Sequence, residues 1–281
     1  MGSGRFAPSV FSISRIASLP TLPAGKTRYY FQMCGRYVSP DEAAIERFWK
    51  LSQAQRDNPL GRRFNLSPTA IVPMLRLGET GGLELVAARW GLIPFWWKEA
   101  KPPRNTFNGR SEEAATKPMW RHPAAKARCL VPALGWYEWK EVERVNPTTG
   151  EVTKEKQPYF IQRKDGLLLA FAGLMSRRTV EGGDSEFTCS ILTRNAVGPA
   201  ADIHTRMPIA LSKDAESAWL DPALADASQA IELARERATT EFVYHMVNPR
   251  VNNSRSEGAE LIEPFEIAEK SPPVQGGKPG G

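Results

Sequence analysis

The pentapeptide Met33-Cys34-Gly35-Arg36-Tyr37 carries chemistry that depends on where the chain begins. A methionine before a small residue is normally removed during synthesis, and Cys34 would then hold a free α-amine beside its thiol. Such an amine has a pKa near ~7.7–8.0, so a useful fraction is neutral and nucleophilic at neutral pH. Attack on an aldehyde gives a Schiff base, and the thiol of the same residue then closes a five-membered thiazolidine ring. Amine and thiol share one residue, so closure is intramolecular and strongly favoured. An internal Cys34 loses that reaction, and a free internal cysteine is most often a small buried hydrophobe. Its neighbours are unlike those of a core strand. Gly35 lets the backbone approach a ligand closely, and Arg36 would be costly to bury alone.

Other residues could serve such a nucleophile. Glu138 lies in Gly135-Trp136-Tyr137-Glu138-Trp139-Lys140. On a strand, Trp136, Glu138 and Lys140 share a face. A glutamate beside a lysine is ordinarily a solvent-facing pair, but a carboxylate bracketed by large aromatics is desolvated, which raises its pKa toward acid/base duty. His204 alternates with Asp202 and Arg206 in Asp202-Ile203-His204-Thr205-Arg206-Met207-Pro208. A lone histidine is more often structural, yet this polar pattern before a strand suits holding phosphate and moving a proton. Asn108-Gly109 is a turn signal, made less ordinary by Arg104 and Arg110 on either side. In the loop from Pro94 to Arg110, Trp96 and Trp97 precede Lys98, Lys101, Arg104 and Arg110. Aromatics interleaved with cations form a platform for a single nucleic-acid strand, although one tryptophan packed inward and solvated cations would give the same pattern. Cys129 and Cys189 read as ordinary strand cysteines.

Several elements must position these groups. Ser39-Pro40-Asp41-Glu42 is a capping-box pattern with proline at the first helical position. It predicts a helix with Ile45, Phe48 and Trp49 on one face, docked on the core so as to fix Cys34. Residues 62–68 read as a loop. Ile71 to Leu77 and Leu83 to Trp90 read as the strands of a hairpin around Gly78-Glu79-Thr80-Gly81-Gly82. Ser111 can cap a short helix ending near Pro118. Ala127 to Glu141, Pro158 to Arg163, Leu167 to Leu174 and Phe187 to Thr193 are strand-like, with turns at Asn146 to Gly150 and Asp165-Gly166. Met207 to Leu211 is a short strand. Helices follow from Ser212 through Trp219 and from Ser228 to Thr239. Phe242 to Val247 is a late strand, with Ala259 to Ile262 pairing at its edge. Without repeat or linker inside 33–264, the expectation is a single α+β domain with a mainly antiparallel, barrel-like β core and peripheral helices.

Composition sets further bounds. The chain has 281 residues and 41% hydrophobic content, enough for a sizeable core. No apolar run approaches the ~20 residues that cross a bilayer. Three cysteines without a Cys-x-x-Cys argue against a disulfide framework or a thiolate zinc site. His122, His204 and His245 lack metal-ligand spacing. The net charge is +6, but Arg5, Arg15, Lys26 and Arg28 lie in an acid-free stretch and leave only +2 for the rest. Overall basicity therefore says little about a nucleic-acid partner. Residues 1–32, rich in Ser, Pro and Arg, are expected to be a mis-assigned upstream start or a disordered leader, with a transit peptide as the alternative. Residues 266–281, rich in Pro and Gly, are expected to be a disordered tail.

Six segments, in order, give the chain a resemblance to the SRAP family (SOS-response-associated peptidase), whose members process abasic sites. They are Met33-Cys34-Gly35-Arg36-Tyr37, Arg63-Phe64-Asn65-Leu66-Ser67-Pro68, Trp90-Gly91-Leu92-Ile93-Pro94 with Trp96-Trp97, Asn108-Gly109-Arg110-Ser111-Glu112, Gly135 to Lys140, and Asp202 to Pro208. The resemblance places the domain at 33–265 and implies a sensor of abasic sites in single-stranded DNA. It implies that Cys34 crosslinks to the ring-opened deoxyribose aldehyde as a thiazolidine and so shields the lesion, an activity with hydrolase- and lyase-like character. Asn108 would orient the amine and the sugar. Glu138 would assist Schiff-base formation, and His204 would protonate the departing ring oxygen and contact phosphate. Arg36, Asn65, Arg110 and Arg206 would hold phosphates, and Trp96 or Trp97 would stack on a base beside the lesion. It implies no cofactor and no metal, a monomer without a membrane partner, and a cytoplasmic place beside the nucleoid during DNA damage.

Two departures stand out. Gly109 occupies a position where the family usually has alanine. The chemistry also needs Cys34 as the first residue, reached by a start at Met33, by autocatalytic release of the leader or by a transit peptidase; the first is the expectation. Two other readings use the same residues. An amino-terminal-cysteine peptidase or amidohydrolase would need Glu138 and His204 but not the tryptophans. A non-covalent single-stranded DNA-binding module would need no Cys34, and the core's modest charge counts against it.

Overall fold

A computed structural model describes residues 34–51, 60–99, 101–146, 148–179, 183 and 185–266. The expected leader and nearly all of the expected tail lie outside the described residues. The strands are β1 (Tyr37–Ser39), β2 (Arg63–Leu66), β3 (Ile71–Leu77), β4 (Leu83–Trp90), β5 (Asn108–Arg110), β6 (Arg128–Ala133), β7 (Gly135–Val145), β8 (Val152–Arg163), β9 (Leu169–Thr179), β10 (Ser185–Asn195), β11 (Arg206–Pro208), β12 (Ala210–Leu211) and β13 (Phe242–Met246). The helices are α1 (Glu42–Trp49), α2 (Ser111–Ala114), α3 (Pro118–Lys126), α4 (Ala215–Leu220) and α5 (Ala227–Glu236).

Five strands close on themselves in the order β10-β4-β3-β6-β9 and back to β10. All pairings in this ring are antiparallel except β4 with β10. β5, β11 and β12 extend its edges. A second sheet runs β13-β8-β7-β1-β2. The expected barrel-like α+β domain is thus observed. Alternation along the strands sends Cys129, Val131 and Ala133 of β6 into one cluster and Leu130 into another beneath the helices.

The chain passes from barrel to second sheet at Leu134, whose amide donates to the Val38 carbonyl (2.8 Å). The continuous run expected from Ala127 to Glu141 is therefore two strands in two sheets. At the crossing, a Cβ on Gly135 would stand 2.4 Å from the Ile161 carbonyl oxygen, so only glycine lets β7 and β8 close here. Immediately after it, Tyr37 and Trp136 lock the second sheet onto the barrel. Tyr37 meets Trp90 edge-on at 5.2 Å, and Trp136 meets Phe171 and Phe242 at 6.1 and 5.1 Å. Such pairs add ~0.5–1.5 kcal/mol each beyond area burial.

Several local expectations change. Residues 63–66 form a strand rather than a loop, because β1 offers Tyr37 and Ser39 as partners. Helix α3 begins at Pro118, where the sequence reading ended a helix; the proline occupies the first turn, which lacks intrahelical donors anyway. Ser111 is the first residue of α2 rather than its cap. Ala259–Leu261 is a 3₁₀ turn, not an edge strand. The cap of α1 is Asp41, which accepts from the Ala44 amide (2.8 Å), while Ser39 stays in β1. Ile45 and Trp49 are buried as expected, in the cluster beneath the helices rather than the one holding Cys34. Asp41→Ala should cost about 1 kcal/mol of stability, read as a lower urea midpoint at unchanged slope.

Candidate active site

The four residues read from the sequence as chemical converge at the seam between the two sheets. Cys34 precedes β1 and is buried, with a φ of 25° that is sparsely populated for a residue bearing a Cβ. Glu138 comes from β7, on the same face as Trp136 as expected. Asn108 opens β5. His204 lies between the 3₁₀ turn Gly198–Asp202 and β11.

Each of these groups meets a different part of the site. The Asn108 side-chain amide donates to the Cys34 carbonyl (3.1 Å), and the Cys34 thiol donates to the Arg206 carbonyl (3.7 Å). The carboxyl of Glu138 is 1% exposed and within the electrostatic reach of the Cys34 thiol and amide. Its Oε1 nevertheless completes no hydrogen bond of ordinary geometry among the described residues. Burial pushes this carboxyl from 4.5 up to about 8, and the Cys34 thiol and amide pull it back only in part. Burial likewise pushes the Cys34 thiol well up, with the Glu138 charge and hydrogen bond adding and Arg206 opposing. At neutral pH the site therefore holds a protonated thiol and a largely neutral carboxylic acid.

His204 Nδ1 lies 3.0 Å from the Arg206 amide nitrogen and 3.2 Å from the Arg206 carbonyl oxygen, so the Arg206 backbone can meet either neutral tautomer. The same Nδ1 stands 3.8 Å from Glu138 Oε2. Burial lowers the His204 pKa; the Arg206 backbone contact opposes, and Lys156 and Arg206 add to the lowering. The imidazole is accordingly neutral near pH 7.

Most of the residues read as phosphate holders have protein partners. Arg36 donates to Asn65 Oδ1 (2.8 Å) and to the Val251 carbonyl (3.0 Å). Asn65 is buried, and its amide nitrogen reaches the carbonyls of Val251, Asn253 and Ser256. Its geometry is that of a clamp on the 251–256 loop, not of a direct phosphate ligand. Arg206 forks onto Glu112 (2.7 and 2.9 Å), and Asn195 and Thr193 accept from it as well. Its charge is already matched, so it acts here as a strut. Arg110 differs: it is exposed at the start of α2 and forms no ion pair among the described residues.

Trp96 is 44% exposed and Trp97 is half-buried, with its indole N–H on the Lys101 carbonyl (3.0 Å). No described contact joins either ring to Cys34, Glu138 or His204. They project from a loop whose ends are pinned beside the site, by Gly91 donating to the Cys189 carbonyl (2.8 Å) and by β5. Gly109 also finds its reason. A Cβ there would lie 3.2 Å from the Trp120 indole nitrogen and 3.3 Å from a Leu192 methyl, so an alanine would need these side chains to give by a few tenths of an ångström. The sequence reading missed Glu112 as the partner of Arg206, although Glu112 stood within a motif it had picked out; its helix-first-turn position explained it too easily. It also missed the 251–256 loop, which carries no chemical side-chain pattern.

Comparison with known proteins agrees with this architecture. The family model for SOS response associated peptidase (SRAP) matches residues 33–254. Abasic site processing protein YoqW of Bacillus subtilis is 32% identical over 233 residues, spanning 82% of this chain and 99% of that one. Abasic site processing protein YedK of Escherichia coli is 33% identical over 243 residues, 83% of this chain and all of its own. The mouse abasic site processing protein HMCES is 30% identical over 250 residues, 76% of this chain and 68% of its own. A solved protein from Bacteroides thetaiotaomicron shares the fold at a TM-score of 0.65 and 22% identity, covering 82% of this chain and all of that one. The chain belongs to the SRAP family. No helix among the described residues is long and apolar enough to cross a membrane.

The buried carboxyl makes the fold pH-sensitive in a defined direction. A carboxyl with a raised folded-state pKa binds its proton more tightly when folded, so its contribution is greatest below pH 4.5 and is lost as pH rises through about 8. Glu138→Gln should remove that slope and raise stability near pH 8 by a few kcal/mol, as followed by thermal melts across pH 5–8.

Proposed function

We propose that this protein processes abasic sites in single-stranded DNA by a covalent step at Cys34, which must then be the first residue of the active chain. The observation that carries this reading is the convergence of Glu138, Asn108 and the Arg206 carbonyl on the amide, carbonyl and thiol of one cysteine. The relatives' names support the substrate class.

The steps follow from the protonation states. The closed sugar opens at its C1′–O4′ bond: the unprotonated nitrogen of the neutral His204 ring takes the C1′ hydroxyl proton, and the resulting imidazolium gives a proton to O4′, which leaves the ring neutral again. The Cys34 amine adds to the resulting aldehyde carbon and gives a carbinolamine. The neutral Glu138 acid protonates its hydroxyl; water departs and an iminium forms beside a carboxylate. That carboxylate takes the thiol proton as sulfur closes on the iminium carbon, leaving a neutral thiazolidine and a reprotonated Glu138. The net change is loss of one water. A carboxyl near pKa 8 suits both directions of transfer. Asn108 holds the Cys34 backbone, Arg110 and Arg36 offer charge for phosphates, and the Arg206 backbone positions the His204 ring.

Protein beginning at Cys34 should form a denaturation-resistant adduct with uracil-excised single-stranded DNA, visible as a shifted band and an intact mass equal to the sum less one water. Cys34→Ala should abolish it. Cys34→Ser keeps the amine and should give only a Schiff base that borohydride traps. An adduct that survives Cys34→Ala would sink the mechanism. Binding indifferent to the lesion would favour a non-covalent module, and amide hydrolysis independent of Trp96 and Trp97 would favour a peptidase.

A further inference from the structure

The fork between Glu112 and Arg206 joins two segments that each reach Cys34. From one side, Asn108 of β5 donates to the Cys34 carbonyl (3.1 Å). From the other, the Arg206 carbonyl accepts from the Cys34 thiol (3.7 Å), and the same backbone meets His204 Nδ1 (3.0 and 3.2 Å). Glu112 lies in α2, which follows β5 directly. Its two carboxylate oxygens accept from the two terminal nitrogens of Arg206 (2.7 and 2.9 Å).

We propose that Glu112 is a positioning residue for the covalent step, acting through Arg206 on the Cys34 thiol and the His204 ring. The proposal rests on the reading of Cys34 as the abasic-site nucleophile. An ordinary surface ion pair holds little in place, but this one differs in two ways. The Arg206 side chain is only 11% exposed, so solvent screens its charge weakly. A bidentate fork also fixes the plane of a guanidinium as well as its distance. Asn195 (2.7 Å) and the Thr193 carbonyl (2.9 Å) accept from the same group without bringing charge. Glu112 supplies the opposite charge.

That charge stands beside the reacting groups. Burial is the main cause of the lowered His204 pKa, and the charges of Lys156 and Arg206 add to it. Burial pushes the Cys34 thiol up, Glu138 adds, and Arg206 opposes. Glu138 also faces the His204 ring at 3.8 Å. On the far side, burial raises the Glu112 carboxyl, but the Arg206 hydrogen bond and the charges of Arg206 and Arg235 of α5 bring it below the usual carboxylate value. Glu112 is therefore ionised at neutral pH. It offsets a cation that disfavours the imidazolium formed during ring opening. Removing its charge makes both His204 and the Cys34 amine harder to protonate.

The test uses protein beginning at Cys34 and single-stranded DNA with one abasic site, at saturating protein. Glu112→Gln keeps the size and loses the charge, whereas Glu112→Asp keeps the charge and shortens the reach. Glu112→Gln should lower the plateau rate of adduct formation on the order of tenfold and move the acid limb of the pH–rate profile to lower pH. Glu112→Asp should slow the step and leave the limb in place. Affinity for an oligonucleotide with a tetrahydrofuran analogue, which has no aldehyde, should change by less than about twofold in both. The His204 ring signal in NMR spectra, identified by its loss in His204→Gln, should titrate at lower pH in Glu112→Gln than in the unsubstituted chain. Slower adduct formation with limb and titration unmoved would mean that Glu112 only braces the fold, and overturns the proposal. A loss confined to DNA affinity overturns it as well. If the unsubstituted chain forms no adduct, the role of Cys34 falls. A His204 titration that still moves then keeps the coupling, and one that stays overturns it too.

Discussion

A carboxyl group kept out of water governs this site. Glu138 sits at the seam where the second sheet meets the closed barrel, with the thiol and amide of Cys34 on one side and the His204 ring on another. Desolvation makes its charged form a strong drain on stability. The same desolvation brings its pKa close to neutral, where one group can give a proton and take it back. The aromatic lock formed by Tyr37 and Trp136 fixes the strand from which Glu138 projects. Site and seam are therefore one construction: loosening the packing of the sheets would hydrate the carboxyl and return it toward an ordinary acid.

Charge around the carboxyl is spent largely on architecture. Arg206 is held by Glu112, Asn195 and Thr193, and its backbone in turn positions the His204 ring and accepts from the Cys34 thiol. Arg36 and Asn65 together hold the 251–256 loop against β2. Trp139 adds to this by donating its indole N–H to Asn252 (2.7 Å). Such buried and half-buried networks fix geometry more than they add stability. The charge of the chain outside its first 32 residues is only +2. Exposed cations such as Arg110 and Arg177 are left to meet solvent or ligand.

The β10 strand links the pieces. Along it lie the pairing with Asn108, the tether of the aromatic loop through Thr188, and the turn that delivers His204 and Arg206. A nucleic acid lying along this edge would meet the aromatic loop and the reactive cysteine at positions fixed by strand register rather than by flexible segments.

The sequence by itself marked the candidate residues and most of the strands. Cys34, Asn108, Glu138 and His204 could be picked out because each residue type clashes with its surroundings, and the hairpin of Ile71–Leu77 with Leu83–Trp90 follows from period-two alternation and glycines. The family resemblance rested on the same short segments. What the sequence could not decide were relations between distant residues. A run from Ala127 to Glu141 looks like one strand because both sheets bury their faces; only the Leu134–Val38 bond divides it. A short strand such as Arg63–Leu66 has no pattern of its own and exists because β1 pairs with it. An arginine reads as a free cation until its carboxylate is found, and Glu112 lies 94 residues from Arg206. The environment of Glu138 is likewise a tertiary fact, since Cys34 and His204 reach it from distant parts of the chain.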